Sequence, residues 1–332
     1  MKRVWIALAA VLAVVLPARL YTVLALADAR TGLYDSAGGG IAIAVAVASA
    51  LGVLLIMGLS ARVKGRAPCT DLRSAGAALF AALTGLFAAG QSLASMAVSP
   101  ENGGRGMEIV LSLFGLLAAA AFLAAAYGFA SGSDFLRRHP LIGLLPSVWG
   151  CLGLVFMFVN YAAIVDRMEN VYNTFTVALL LLFLFSQAKF MAGMETRRSA
   201  GRMMLFGPPA AALALLTAVP ACVRSFSGKA ALGEFPVGFH LLNVVMSVYI
   251  LVYLAAAFRG SPEVQPASRE EEAGGAPEAE ETRTTGGEGS GKEDSDLLGT
   301  CSEFLKNSYH ASEKFVEIGE SETPAAKNGK AS

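Results

Sequence analysis

The chain has 332 residues, of which 55% are hydrophobic and only 16% charged, and its mean hydropathy is +0.55. A soluble domain carries about 25% charged residues, so the composition excludes an ordinary soluble globular protein and predicts one that lives in lipid. The formal net charge of zero hides an asymmetry: residues 1–260 hold 19 Lys/Arg against 10 Asp/Glu, and residues 261–332 hold 7 against 16.

That shift near Gly260 divides the chain into a membrane domain, 1–260, and an acidic tail, 261–332. A spanning helix needs about 20 mainly apolar residues. Eight segments qualify, at roughly 4–27, 39–60, 74–98, 107–131, 140–165, 171–193, 203–225 and 235–258. The expected fold is therefore all-α, a polytopic integral membrane helix bundle of about eight transmembrane helices with a disordered cytoplasmic C-terminal tail. Cytoplasmic loops carry the excess of Lys and Arg. With a cytoplasmic start, twelve such residues flank the inner helix ends (Lys2, Arg3, Arg62 and Arg137 among them) and five the outer ends. The expected location is thus the cell membrane, multi-pass, with both termini cytoplasmic.

The first segment has two readings. Lys2-Arg3, the apolar run from Val4 to Leu16 and Ala25-Leu26-Ala27 resemble a cleavable secretory signal, whose removal would leave seven helices. Against cleavage, the apolar run continues past Pro17 to Ala27, longer than a usual signal core. Retained, the segment puts Arg19 inside lipid, ~13 Å beneath Asp28 at 1.5 Å rise per residue. A guanidinium at that depth costs several kcal/mol unless paired or wetted, and so marks a candidate site.

Pro17, Pro146, Pro208, Pro209 and Pro220 fall within or near helices, where they free carbonyls that neighbours must satisfy. The third and fourth segments are rich in Ala and Gly, including Gly85 and Gly90, which lets helices approach closely. Segments one to four and five to eight share orientation, and faint echoes such as Tyr21–Asp28 against Tyr161–Asp166 would suit a parallel repeat. The four cysteines are scattered without a C-x-x-C pair, which speaks against a disulfide framework or zinc site.

In the tail, Ser261 to Ser295 is rich in Glu, Gly, Pro and Thr and should be disordered. Gly286 to Lys292 imitates a phosphate-binding loop, but Glu293 stands where Ser or Thr should bind magnesium and no strand precedes it. Leu298, Cys301, Leu305, Tyr309 and Val316 recur at helical spacing, so a short amphipathic helix over 296–318 could engage a cytoplasmic protein partner.

Polar residues gather in the outer half of the bundle. Gln91, Ser92 and Ser95 lie late in the third segment, Glu108 opens the fourth, and Asn160 ends the fifth. Asn170, Tyr172, Asn173 and Thr176 open the sixth, Arg224 ends the seventh, and His240, Asn243 and Ser247 open the eighth. The candidate ligand-binding set is Arg19, Gln91, Glu108, Asn160, Asn173, Arg224, His240 and Asn243, lining an outward-facing cavity. Arginines among amides and hydroxyls suit a carboxylate or phosphate, hence a small anionic solute. Each residue also has a packing role open to it. Arg19 could pair with Glu108 or Asp28 as a bundle lock, Arg224 could anchor a helix end, and the amides could bond between helices. The inner half reads as plain, with Gln187 and Lys189 snorkelling at its edge.

No H-E-x-x-H, G-x-S-x-G or clustered carboxylate motif occurs, which leans against an enzyme, and no catalytic residue, metal or cofactor is expected. The partners expected are the lipid bilayer, a small anionic solute and a protein for the tail helix, with no nucleic acid. Transport or solute binding is the first functional expectation. A membrane sensor or assembly subunit acting through its tail is the alternative.

Overall fold

A computed structural model describes residues 1–28, 34, 36–63, 72–97, 105–133, 135–161, 168–194, 196–229 and 235–258. The chain divides into two units, Met1–Ala267 and Ser268–Ser332. The tail expectations, disorder from 261 and a helix over 296–318, lie outside the described residues, as does Asp166.

The described residues are helical, apart from turns and an isolated antiparallel bridge between Ala27 and Tyr34. Helix α1 is Lys2–Tyr21 and runs on as a π-helical turn, Thr22–Leu26. Then come α2 (Ser36–Ala61), α3 (Ala75–Ala97), α4 (Arg105–Ser131), the four-residue α5 (Phe135–Arg138) and α6 (Pro140–Tyr161). The bundle closes with α7 (Met168–Met191), α8 (Thr196–Phe226) and α9 (Val237–Phe258). All but α5 contain a stretch long and apolar enough to cross a membrane, eight spans from Lys2–Leu26 to Val237–Phe258. Each overlaps a segment read from the sequence. The fifth is described as Pro140–Val159, and the end of the expected 140–165 lies outside the described residues.

Helix α8 occupies the centre. Its span is 78% buried, against 17% for the span in α6. Ala210, Ala211, Ala212, Ala214 and Ala218 are fully buried, and these small side chains let α1, α2, α7 and α9 pack directly on α8. Without a hydrophobic force between helices in lipid, such close van der Waals contact is what holds a bundle together. Large apolar residues on the periphery, Leu51, Leu54, Leu79, Leu86 and Phe158 among them, are exposed and face the lipid.

The tightest outer pair is α3 with α4. At Gly85 a Cβ would stand 3.0 Å from the Ala119 carbonyl oxygen and 3.1 Å from Leu123 Cγ. The expected repeat is not realised in the packing. A parallel repeat would match α2 against α3 with α7 against α8, but only the second pair packs. The buried face of α3 mixes Ala77, Ala81 and Ala88 with Thr84, Gly85 and Ser92, whereas that of α8 holds a denser run of alanines.

Gly85→Ala should therefore lower stability by about 1–3 kcal/mol through overpacking against a backbone carbonyl, read as a lower Tm in detergent. Gly90→Ala, with nothing within 4 Å of the new Cβ, should leave Tm unchanged or slightly raised.

Candidate functional site

For orientation, the end of the bundle where α1 begins is called the near end, and the opposite end the far end. Arg19 lies in the last turn of α1, toward the far end, and is 1% exposed. Its Nη2 donates to Oε1 of Glu169 in the first turn of α7, and its guanidinium carbon sits 4.3 Å from the centroid of the Tyr172 ring. A cation over an aromatic face gains from the ring quadrupole, most when desolvated. This is the ion pair of the packing interpretation with a different partner: Glu169, not Glu108 or Asp28. Glu108 is half-buried on α4, which packs on α3 and α6, and no described contact joins it to Arg19.

Glu169 went unnoticed in the sequence, although its spacing contained the signal. Glu169, Tyr172, Asn173 and Thr176 recur at i, i+3, i+4 and i+7, one face of α7, and all four are buried. Thr176 is satisfied by its own helix, donating to the Tyr172 carbonyl at 2.8 Å. The others are not. Nε and Nη1 of Arg19, both amide atoms of Asn170, the Tyr172 hydroxyl, Oδ1 of Asn173 and the Tyr34 hydroxyl are buried without a hydrogen-bond partner. Beyond the spans, Tyr34 has its phenol pushed up from the ordinary range, first by burial and then by the Glu169 carboxylate. It stays protonated there, able to donate a hydrogen bond.

Arg224, at the end of α8, does other work. Its Nη1 donates to the carbonyls of Val23 at 2.5 Å and Ala27 at 3.4 Å, and Nη2 donates to the carbonyl of Asp28. Lys229 Nζ adds a bond to the Leu24 carbonyl at 2.8 Å. Two cations thus cover the carbonyls that the π-turn leaves at the C-terminal end of α1, where the helix dipole also favours positive charge. The break from α to π geometry after Pro17 therefore has its carbonyls covered from another helix.

The remaining predicted residues form a separate group. Gln91 is half-buried, its Nε2 3.4 Å from Ser95 Oγ and its Oε1 pressed against Gly238 at the start of α9. His240 and Asn243 follow on α9, with His240 Nδ1 and Asn243 Nδ2 buried and unpartnered. Ser247 Oγ donates to the Asn243 carbonyl at 2.6 Å. The Asn160 side chain lies outside the described residues. Helices α7 and α9 meet at Gln187–Tyr249 and Phe183–Tyr253. The two polar groups lie on different helices, one on α1, α7 and α8, the other on α3 and α9.

The near half is not plain. Gln187 is buried rather than snorkelling, and its Nε2 donates to the hydroxyl of Tyr249, a fully buried ring edge-on to Phe122 at 5.8 Å. Burial is possible because the amide has this partner. Lys189 does keep an edge position, its ammonium 5.1 Å from the Phe185 ring. Among the described residues no three His, Cys, Asp or Glu side chains come together as a metal site would require.

Breaking a buried pair on one side leaves an uncompensated charge and costs about 3–5 kcal/mol. Arg19→Met and Glu169→Leu should each cause a loss of that order in detergent unfolding, with the double variant recovering most of it. Equal and additive losses would mean that the two residues act independently.

No family model matches this chain, and neither a curated protein nor a solved structure does. With eight helices long and apolar enough to cross a membrane among its described residues, the chain is a multi-pass membrane protein.

Proposed function

We propose that the protein binds, and through that binding handles, a small polar solute with an anionic group at the far-end cluster. What supports this reading is one observation: the cluster holds more buried polar atoms than its own bonds use. An unsatisfied buried donor or acceptor costs about 1–3 kcal/mol. Arg19, Asn170, Tyr172, Asn173 and Tyr34 together leave seven such atoms. A lock needs the Arg19–Glu169 pair alone. Two amides, two phenols and the spare guanidinium donors around it make sense if water or a solute completes them. The solute's anionic group would take the Arg19 donors, while Asn170, Asn173 and the Tyr172 hydroxyl set its orientation. Glu169 already balances the Arg19 charge, so a solute that also carries a donor suits the cluster better than a bare anion. Gln91, His240 and Asn243 form a further polar group on α3 and α9. Glu108 and Arg224 are left out, the latter because its donors serve the end of α1. With the orientation implied by the Lys/Arg bias, the cluster faces outward.

The test is thermal unfolding of the detergent-purified protein against a panel of small carboxylates, phosphates and amino acids. Binding to the folded state raises stability by mass action, about 2.7 kcal/mol at a hundredfold excess over Kd. The expected result is a stabilising hit that is lost in Asn173→Ala, a variant that keeps the ion pair. No hit across the panel, with Asn173→Ala as stable as wild type, would reduce the cluster to packing.

A second reading rests on charge asymmetry. Residues 261–332 carry more Asp/Glu than Lys/Arg and residues 1–260 the reverse, which would suit a sensor whose acidic tail engages a cytoplasmic protein partner. Deleting 261–332 separates the two, since ligand stabilisation should survive in a solute-binding core.

A further inference from the structure

A cavity lies at the other end of the bundle from the polar cluster. About 190 Å³ opens at the near end between α4, α5, α7 and α9. Its depth is apolar, with Phe129, Leu136 and Phe190 buried in it and the Tyr253 ring at its base. Its rim is polar: Ser133 and Arg137 are exposed and Thr196 half-buried. A smaller void of about 20 Å³, sharing Ala125, Leu136 and Met191, carries the apolar lining on to Gln187 and Tyr249.

Two helix ends shape the mouth. Gly132 (φ 71°) closes α4 and Gly193 (φ 76°) closes α7, each in the left-handed conformation that glycine adopts without strain. The absence of a side chain there leaves room for arginines. Arg137 Nε is 3.7 Å from where a Cβ on Gly193 would stand, and Arg73 Cδ is 3.8 Å from the same point on Gly132. Among the described residues neither arginine has an ion pair. Arg137 thus lines the cavity and Arg73 passes beside Gly132 at its mouth, with Ser133 and Thr196 also on the lining, above an apolar depth at the end of a membrane bundle.

Guanidinium groups bind phosphate oxygens through paired charge-assisted hydrogen bonds, and basic pockets between spanning helices suit anionic headgroups. We infer that this cavity is a binding site for a phosphate-bearing ligand of the anionic phospholipid class. Arg137 and Arg73 hold the phosphate, Ser133 and Thr196 donate to its remaining oxygens, and Phe129, Leu136 and Phe190 take the apolar stem. The same anion chemistry could be met by free phosphate, which lacks the stem. The inference uses none of the residues of the far-end cluster and stands apart from that proposal.

The experiment is the thermal shift of the full-length protein in neutral detergent micelles doped with phosphatidylglycerol, with phosphatidylcholine, or with inorganic phosphate alone. Phosphatidylglycerol is expected to raise Tm by several degrees more than phosphatidylcholine at equal concentration. That difference should fall by at least half in Arg137→Gln and persist in Arg138→Gln, the adjacent exposed arginine that does not line the cavity. A full effect from inorganic phosphate alone would retain the anion site and assign it to the free ion. Equal shifts from both lipids with none from phosphate would overturn the inference. So would a phosphatidylglycerol effect that is undiminished in the Arg73→Gln/Arg137→Gln double variant.

Discussion

The far end of the bundle depends on disposing of one buried guanidinium. Arg19 is almost wholly removed from solvent within a spanning helix, a placement that neither lipid nor apolar packing tolerates alone. Its solution reaches across the sequence to Glu169 and Tyr172 on α7, although α1 packs on α2 and α8 rather than on α7. The pair is thus a long side-chain tie between helices whose backbones stay apart. Arg224 and Lys229 make a second tie, covering the carbonyls of the π-turn that follows Arg19. Pro17, the π-turn and the two cations form one connected device. The helix loosens after its proline, and charge from the end of α8 satisfies the backbone so exposed.

Between the two ends the physics changes. The middle of the bundle is held by small residues on α8 and by aromatic contacts among Phe122, Phe183, Tyr249 and Tyr253, with the buried amide of Gln187 satisfied by Tyr249. It is dense and largely satisfied, as membrane interiors must be. The far end is over-supplied with polar atoms and the near end has an open cavity under a cationic rim. Polar excess at one end and a cavity at the other, with a packed middle, is an arrangement suited to a protein that meets polar molecules at both membrane surfaces.

Much of this was legible in the sequence. Apolar runs of spanning length announced all eight spans, because in lipid every backbone group must be satisfied within a helix. Arg19 stood out for its cost. The partner of Arg19 was not legible. Glu169 sits in the first turn of a helix, where an acidic residue is unremarkable as a complement to the dipole, and nothing local tells that α7 turns it toward α1. Arg224 was correctly a helix-end residue, but its carbonyl partners required knowing that α1 ends in a π-turn. Gln187 was misread because its partner, Tyr249, lies on a helix 62 residues away. The near-end cavity arises where α4, α5, α7 and α9 diverge, a property of helix angles that no linear pattern carries.

The central claim is that the far-end cluster is open to water or solute rather than a dry lock. The most direct measurement is thiol accessibility in the membrane, using a variant in which Cys69, Cys151, Cys222 and Cys301 are replaced and one cysteine is introduced at a time. The account predicts that Asn173→Cys reacts with a small membrane-impermeant thiol reagent from one side only. Leu180→Cys, two turns deeper in the packed middle, should not react. An inert Asn173→Cys in a protein that is folded and inserted would contradict it, leaving the cluster as a sealed polar knot that fastens α1 to α7.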